Sequence, residues 1–333
     1  MSSRYEPRVG AGDPYSPRPS SSGDRVTVNH RWTRRPRHVA ALSAVAFFVA
    51  GCAGAPVAQS PSARATPPPS ASSTPSSTPS NTSRATASPF AGLSSYLAKR
   101  SGRVTVALYD AVTKKIWQIH PGVIEDTASI VKVEIMGTAL WEAEQAHKPL
   151  PASQAALMTP MIENSDNDAA TALWSDVDGP PAILSFDQSI GMTHTIPSTV
   201  AVIPGTSLPG WGLTTTTARD EVTLLSKFAY PNSSLTSQDR MYGLGLMTHI
   251  EADQNWGVTG GVPPGTTVAL KNGWLPLPSD NNYWQVDSIG WISGHGRNYV
   301  LAVLTNGNPT EGYGIDTIDA ISRAVYRGVG RDR

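Results

Sequence analysis

Ser129-Ile130-Val131-Lys132-Val133-Glu134-Ile135-Met136-Gly137-Thr138-Ala139-Leu140 is the stretch on which the reading of this chain turns. Lys132 and Glu134 are its only charges, and its apolar residues fall on several faces of a helix, the pattern of a helix buried nearly all round. The composition predicts a helix over residues 129–146. Positions i and i+3 are neighbours on a helix, so the Lys132 amine is expected beside the Ser129 hydroxyl. The free N–H groups and positive dipole end of a first turn favour a developing oxyanion there. Desolvation penalises a charged amine, so a buried Lys132 is suited to act as a base near neutral pH. The plainer alternative is that Ser129 caps the helix and Lys132 snorkels out of the core.

Outward from this stretch, Arg103 to Tyr109 and Lys115 to Ile119 alternate as strands around the turn residues Asp110 to Thr113, which predicts a hairpin. A short amphipathic helix is expected before it, over 91–100. Helical patterns follow at 151–163, 167–176, 180–190, 217–229 and 236–249. Strand patterns then occupy 266–271, 285–293 and 299–305, and Ile315, Ile318, Ile321 and Val325 mark a last helix. Two strands, a helical block and three strands exclude a βαβ repeat. The expected class is α+β in three layers: an antiparallel five-stranded sheet flanked by terminal helices, with an inserted all-helical lobe.

The first quarter of the chain reads differently. Arg25, Arg31, Arg34, Arg35 and Arg37 precede an uncharged run from Val39 to Ala50, the layout of a signal peptide. Twelve helical residues rise about 18 Å, short of a hydrocarbon core of about 30 Å. Val49-Ala50-Gly51-Cys52 resembles the bacterial lipobox, which implies cleavage before Cys52 and lipidation of its thiol; an ordinary signal peptide with a chance cysteine is the alternative. Residues 53–89 are almost wholly Ser, Thr, Pro, Ala and Gly, which have little with which to bury a core. The expected organisation is therefore a signal peptide with lipobox over 1–51, a lipidated Cys52 with a disordered tether over 52–89, and a folded domain over 90–333. With 26 basic against 26 acidic side chains, nothing argues for nucleic acid. A single cysteine excludes a disulfide framework and Cys-cluster metal sites, and the histidines show no metal-ligand spacing.

Two further elements follow Ser129 and Lys132 in order: Ser165-Asp166-Asn167 at the mouth of a predicted helix, and Lys271-Asn272-Gly273 at the end of a predicted strand. The three together are a known signature set. On them, residues 90–333 resemble the β-lactamase and D,D-peptidase superfamily of penicillin-recognising serine hydrolases, nearest to class A. The resemblance implies that Ser129 is the acylated nucleophile, Lys132 its proton acceptor, and Ser165 a relay to the leaving amine. It places Asn167 on the substrate's amide side chain and Lys271 on the substrate carboxylate. The family's third motif usually has Thr or Ser at its middle position; Asn272 departs from this but can still donate to that carboxylate, while Gly273 and Trp274 are expected to flank the substrate and the backbone N–H groups of Ser129 and Trp274 to form the oxyanion hole. Trp211, Trp256, Trp284 and Trp291 could also line a substrate cleft, with buried packing as their default reading.

The departures are as informative. The stretch between the first two motifs is shorter than is usual in class A, so a trimmed helical lobe is expected. Class A enzymes also carry a glutamate that activates the deacylating water, within Glu-Pro-x-x-Asn-x-x-Ile-Pro-Gly. The comparable residues here run from Ile196-Pro197 to Ile203-Pro204-Gly205, with no glutamate between Glu163 and Glu221. The resemblance therefore implies acylation by β-lactams or peptidoglycan stem peptides with slow release. No cofactor is implied. A monomer on the outer face of a bacterial cell membrane is expected, held through lipidated Cys52. A binding or sensing module and a D,D-peptidase are the rival readings.

Overall fold

The computed structural model describes residues 88–231 and 234–330. The expected signal peptide and lipobox with Cys52, and the expected tether up to residue 87, lie outside the described residues. In chain order the elements are α1 (Ser94–Leu97), β1 (Arg103–Asp110), β2 (Lys115–Ile119), β3 (Ile124–Asp126), a 3-10 turn (Ala128–Val131) and α2 (Lys132–Gln145). Then come α3 (Ala152–Glu163), α4 (Asn167–Asp176), α5 (Pro180–Ile190), a second 3-10 turn (Gly210–Leu213) and β4 (Thr215–Thr217). They are followed by α6 (Ala218–Ala229), α7 (Ser237–Met247), β5 (Thr267–Leu277), β6 (Tyr283–Gly294), β7 (Arg297–Asn308) and α8 (Glu311–Gly328).

Five strands form one antiparallel sheet in the order β2-β1-β7-β6-β5. Its central strands are buried on both faces because helices cover both. On one face Ala107, Ile289, Val300 and Ala302 meet Ile130, Met136, Leu224 and Phe228 of the helical lobe. On the other, Val106, Leu108, Leu301 and Val303 meet Ile318, Ile321 and Val325 of α8. The three-layer α+β arrangement read from the sequence is the one observed.

Three differences stand out. The first helix covers four residues, not ten: Gly92 takes φ +83°, and Arg100 turns onto α8, donating to Tyr313 O (2.5 Å) and Thr317 Oγ1 (2.8 Å) with its guanidinium stacked on the Tyr313 ring. The outer face is therefore covered chiefly by α8, whose start is capped by Thr310 Oγ1 accepting from Tyr313 N. The late strands run longer than their β-branched cores, because hydrogen bonding to neighbours carries them past residues without strand propensity. Finally, β3 and β4 pair as a separate two-stranded sheet that three-residue segments gave no pattern to predict. Within it Glu125 is buried and holds Arg103 through two hydrogen bonds of 2.5 and 2.7 Å.

The helical lobe contains polar residues where apolar ones are the rule. Glu134 of α2, Asp187 of α5 and Glu221 of α6 are fully buried, and their carboxyl oxygens lack ordinary hydrogen-bond partners among the described residues. Asp220 beside them is placed differently, with Oδ2 accepting from His194 N (2.7 Å) and Thr195 Oγ1 (3.1 Å). Burial, reinforced by neighbouring carboxylates, pushes Asp187 and Glu221 up to about 8 and Glu134 well above the usual carboxylate range. These groups are held protonated at neutral pH, since ionisation without a partner is costly. Their folded values exceed their unfolded ones. The stability they permit is thus complete below about pH 4 and is lost as pH rises towards 8. Thermal unfolding of the folded domain should show a melting temperature several degrees lower at pH 8.5 than at pH 5, and Glu134→Gln with Glu221→Gln should flatten that slope.

Candidate active site

The residues picked out in the sequence converge at the junction of sheet and helical lobe. Ser129 stands in the 3-10 turn and the α-helix proper begins at Lys132. Ala128, just before it, takes φ +44°, a conformation that non-glycine residues adopt at a cost. The turn is closed by Ile130 N donating to Thr127 O (3.0 Å) and anchored by the fully buried side chains of Ile130, Val131 and Val133. The nucleophile candidate thus sits on a short, rigid turn.

Lys132 is fully buried. Its Nζ lies 3.0 Å from Ser129 Oγ, 2.6 Å from Ser165 O, 3.1 Å from Ser165 Oγ and 2.9 Å from Asn167 Oδ1. Desolvation holds the amine well below its ordinary value, and the positive charge of Lys271 lowers it further. A snorkelling lysine is excluded by this placement. Ser165 adopts φ +55°, a second left-handed non-glycine residue at the site. Asp166 caps α4, with Oδ1 accepting from Ala169 N (2.7 Å), which fixes Asn167 as the first helical residue.

β5 supplies the third wall. The Lys271-Asn272-Gly273 triplet lies in the middle of this strand, not at its end, because Trp274 to Leu277 continue the pairing onto Tyr283 to Val286. Pro276 is tolerated there since β5 is an edge strand. Lys271 is fully buried, and its Nζ donates to Ser165 Oγ (2.9 Å) and Asn272 O (2.9 Å); burial lowers it to about 7. Gly273 is required by close approach: a Cβ there would stand 2.8 Å from both Ser129 N and Thr127 O.

Asn272 departs from expectation. Strand alternation turns its side chain away from Lys271 and Gly273, and its Nδ2 donates to Gln254 O (2.7 Å) and Trp256 O (3.3 Å). Its amide donor is committed to the protein, so it braces the 254–256 segment and does not face a substrate carboxylate. Trp274 does line the cleft, braced edge-on by Trp256.

The fourth wall comes from residues 193–214. This segment is held by Ile196 exchanging hydrogen bonds with Thr215 and by Gly210 N donating to Ala201 O. Gly210 passes so close to Val200 that a Cβ would meet its carbonyl. The segment brings Ile203, Leu208, Pro209 and Trp211 into the cleft with Ser129, Asn167 and Trp274. From 188 to 219 the chain has neither Asp nor Glu. Two larger cavities, of about 840 Å³ beside Ile250 and Leu270 and about 930 Å³ beside His147 and Tyr242, hold none of these groups. The sequence offered Trp211 as a possible cleft residue without singling it out, and assigned no role to Thr171; in the structure the Trp211 ring faces Lys132 and Thr171 pins it, which depends on how the loop crosses α4. The chemistry available is removal of the Ser129 proton by Lys132, with Ser165 bridging the two lysines.

The model of the Beta-lactamase enzyme family matches residues 145–329, more than half of the chain. That span contains the Ser165 and Lys271 motifs and begins after Ser129 and Lys132. No curated protein matches. Among solved structures, the TLA-1 extended spectrum β-lactamase superposes with TM-score 0.63 at 18% identity, over 70% of this chain and 95% of its own. An ancestral class A β-lactamase gives 0.60 at 21% identity, over 71% and 99%. The class A β-lactamase from Mycobacterium abscessus gives 0.59 at 23%, over 71% and 96%. At these identities the superpositions establish the fold, while the family match extends through most of the domain. This chain therefore belongs to the β-lactamase enzyme family, and its described part has the class A β-lactamase fold.

Proposed function

We propose that the protein is an extracytoplasmic, lipid-anchored serine hydrolase that is acylated at Ser129 by β-lactams or D-Ala-D-Ala-type peptides and releases the acyl group slowly. The observation that carries this reading is the buried Lys132 amine 3.0 Å from Ser129 Oγ, in a cleft whose loop wall bears no carboxylate. In the proposed cycle neutral Lys132 takes the Ser129 proton as Oγ attacks the carbonyl carbon. Ser165 passes a proton to the departing amide nitrogen, and the Ser129 ester remains. Asn167 and Trp274 flank the acyl group, Lys271 attracts the substrate carboxylate, and the Ser129 and Trp274 N–H groups hold the oxyanion past Gly273. Lys271 is left as the cation of the triplet, with Asn272 turned away. Hydrolysis of the ester needs a base for water, and its lack costs about 10² to 10⁴ in rate. The uncharged run before Gly51-Cys52 supports the further reading of a monomer held on the outer face of the membrane and acting on stem peptides or antibiotics.

A labelling time course tests the chemistry. A fluorescent penicillin should tag the wild type, leave Ser129→Ala untouched, and persist for hours on the tagged protein. Rapid steady-state nitrocefin hydrolysis would contradict slow release. Complete absence of label would favour a non-covalent binding module, and label loss with turnover of D-Ala-D-Ala peptides a D,D-peptidase.

The pH dependence of the second-order acylation rate constant is also determined. On the acid side the rate should fall as Lys132 takes up a proton. On the alkaline side acylation by an anionic β-lactam should fall as free Lys271 loses its proton near pH 7. An uncharged ester analogue of the same β-lactam should lack the alkaline limb.

A further inference from the structure

Four oxygens lie within hydrogen-bond distance of Lys132 Nζ: Ser129 Oγ on its own turn, and Ser165 O, Ser165 Oγ and Asn167 Oδ1 at the start of α4. The loop approaches with an aromatic ring. The Trp211 ring centroid lies 4.9 Å from Nζ, within range of a cation–π interaction. The ring is not placed by packing alone. Trp211 Nε1 donates to Thr171 Oγ1 (3.1 Å), and that hydroxyl donates to Asn167 O (2.8 Å) one turn back along α4. Trp211 is nearly buried, and tight passage of Gly210 against Val200 fixes the loop immediately before it. Indole, hydroxyl and the first turn of α4 thus close a frame around the amine.

We infer that Trp211 is a positioning residue for Lys132, its indole face holding the ammonium form against Ser129 and Asn167 on the side from which the loop offers no carboxylate. The inference rests on the reading of Lys132 as the base for Ser129, since it assigns how that base is oriented and poised. Burial and Lys271 favour the neutral amine; the Asp166 carboxylate opposes them, and the ring face adds to the side of the cation. It therefore keeps proton uptake by Lys132 within reach after each transfer from Ser129.

The test is a titration of the lysine side chains by NMR, in full-length protein carrying labelled lysine, with the Lys132 signal assigned by its loss in Lys132→Arg. In Trp211→Leu, which keeps an apolar wall and removes the ring, the Lys132 midpoint should fall by about one unit, a roughly tenfold change in the amine-to-ammonium ratio. Trp211→Phe, which keeps a ring face, should move it much less. The Lys271 midpoint should stay in place in both. Thr171→Val, which frees the indole and leaves the ring's volume, should shift Lys132 in the same direction by a smaller amount, and decides the matter if Trp211→Leu does not fold. A Lys132 midpoint that is unchanged or rises in Trp211→Leu and Thr171→Val would overturn the inference, as would equal shifts of both lysines, which signal general opening of the cleft. The titration needs no acylation, so a wild type that penicillin fails to label ends the acylation reading and leaves this one to be decided by the lysine midpoints.

Discussion

The burial of one amine organises this protein. An uncompensated charge in a low-dielectric interior is among the costliest features a fold can hold, and Lys132 is tolerated because acceptors and an aromatic face meet it from several directions. Those groups come from separate parts of the chain, the turn at Ser129, the α3–α4 junction at Ser165 and Asn167, and the loop at Trp211, while β5 adds Lys271, a like charge that meets them at Ser165 Oγ. Ser129, Ser165 and Asn167 must arrive within hydrogen-bond distance and the Trp211 ring within cation–π range, so the lobe and the sheet have to dock in one arrangement. The left-handed Ala128 and Ser165 and the close-packed Gly273 mark where the backbone yields to that requirement.

Two buried lysines sharing Ser165 Oγ are a further consequence. Desolvation lowers both, and their mutual repulsion means that protonation of one disfavours protonation of the other. A proton-transfer site benefits from such poise, because groups whose proton affinity lies near ambient pH accept and release protons with little penalty. The helical lobe repeats the theme with the opposite sign. Glu134 is two residues from Lys132 on the same helix, yet faces Asp187 and Glu221 and is held as a neutral acid. One short helix therefore buries a base-prone amine on one side and protonated carboxyls on the other. Asp287, paired across from Gly273, is likewise buried and raised, and accepts from Gln285 and Thr305.

Much of the architecture was legible in the sequence because local periodicity carries it. The amphipathic pattern of α8 marks burial on one face, while the apolar runs of β1 and α2 mark burial nearly all round. What escaped was structure that depends on partners remote in sequence. β3 and β4 are three residues each and exist because they pair with one another. The helix expected over 91–100 lost to contacts with Tyr313 and Thr317, which no local propensity records. Asn272 illustrates the limit within the site: its position in a recognisable triplet suggested a substrate contact, while strand alternation and the nearby carbonyls of Gln254 and Trp256 assigned its amide elsewhere.

By itself the sequence determined the α+β class, the order of the three motifs, the proximity of Ser129 and Lys132 expected one helical turn apart, and the absence of an acid between Asp187 and Asp220. These are properties of spacing and composition, which survive without coordinates. Only the tertiary structure decided that Lys132 is buried instead of snorkelling, that Lys271 meets it through Ser165, and that an indole stands over the amine. Those outcomes depend on which segments, separated by tens of residues, are brought within a few ångströms of one another, and on the cost of leaving any of the converging charges without a partner.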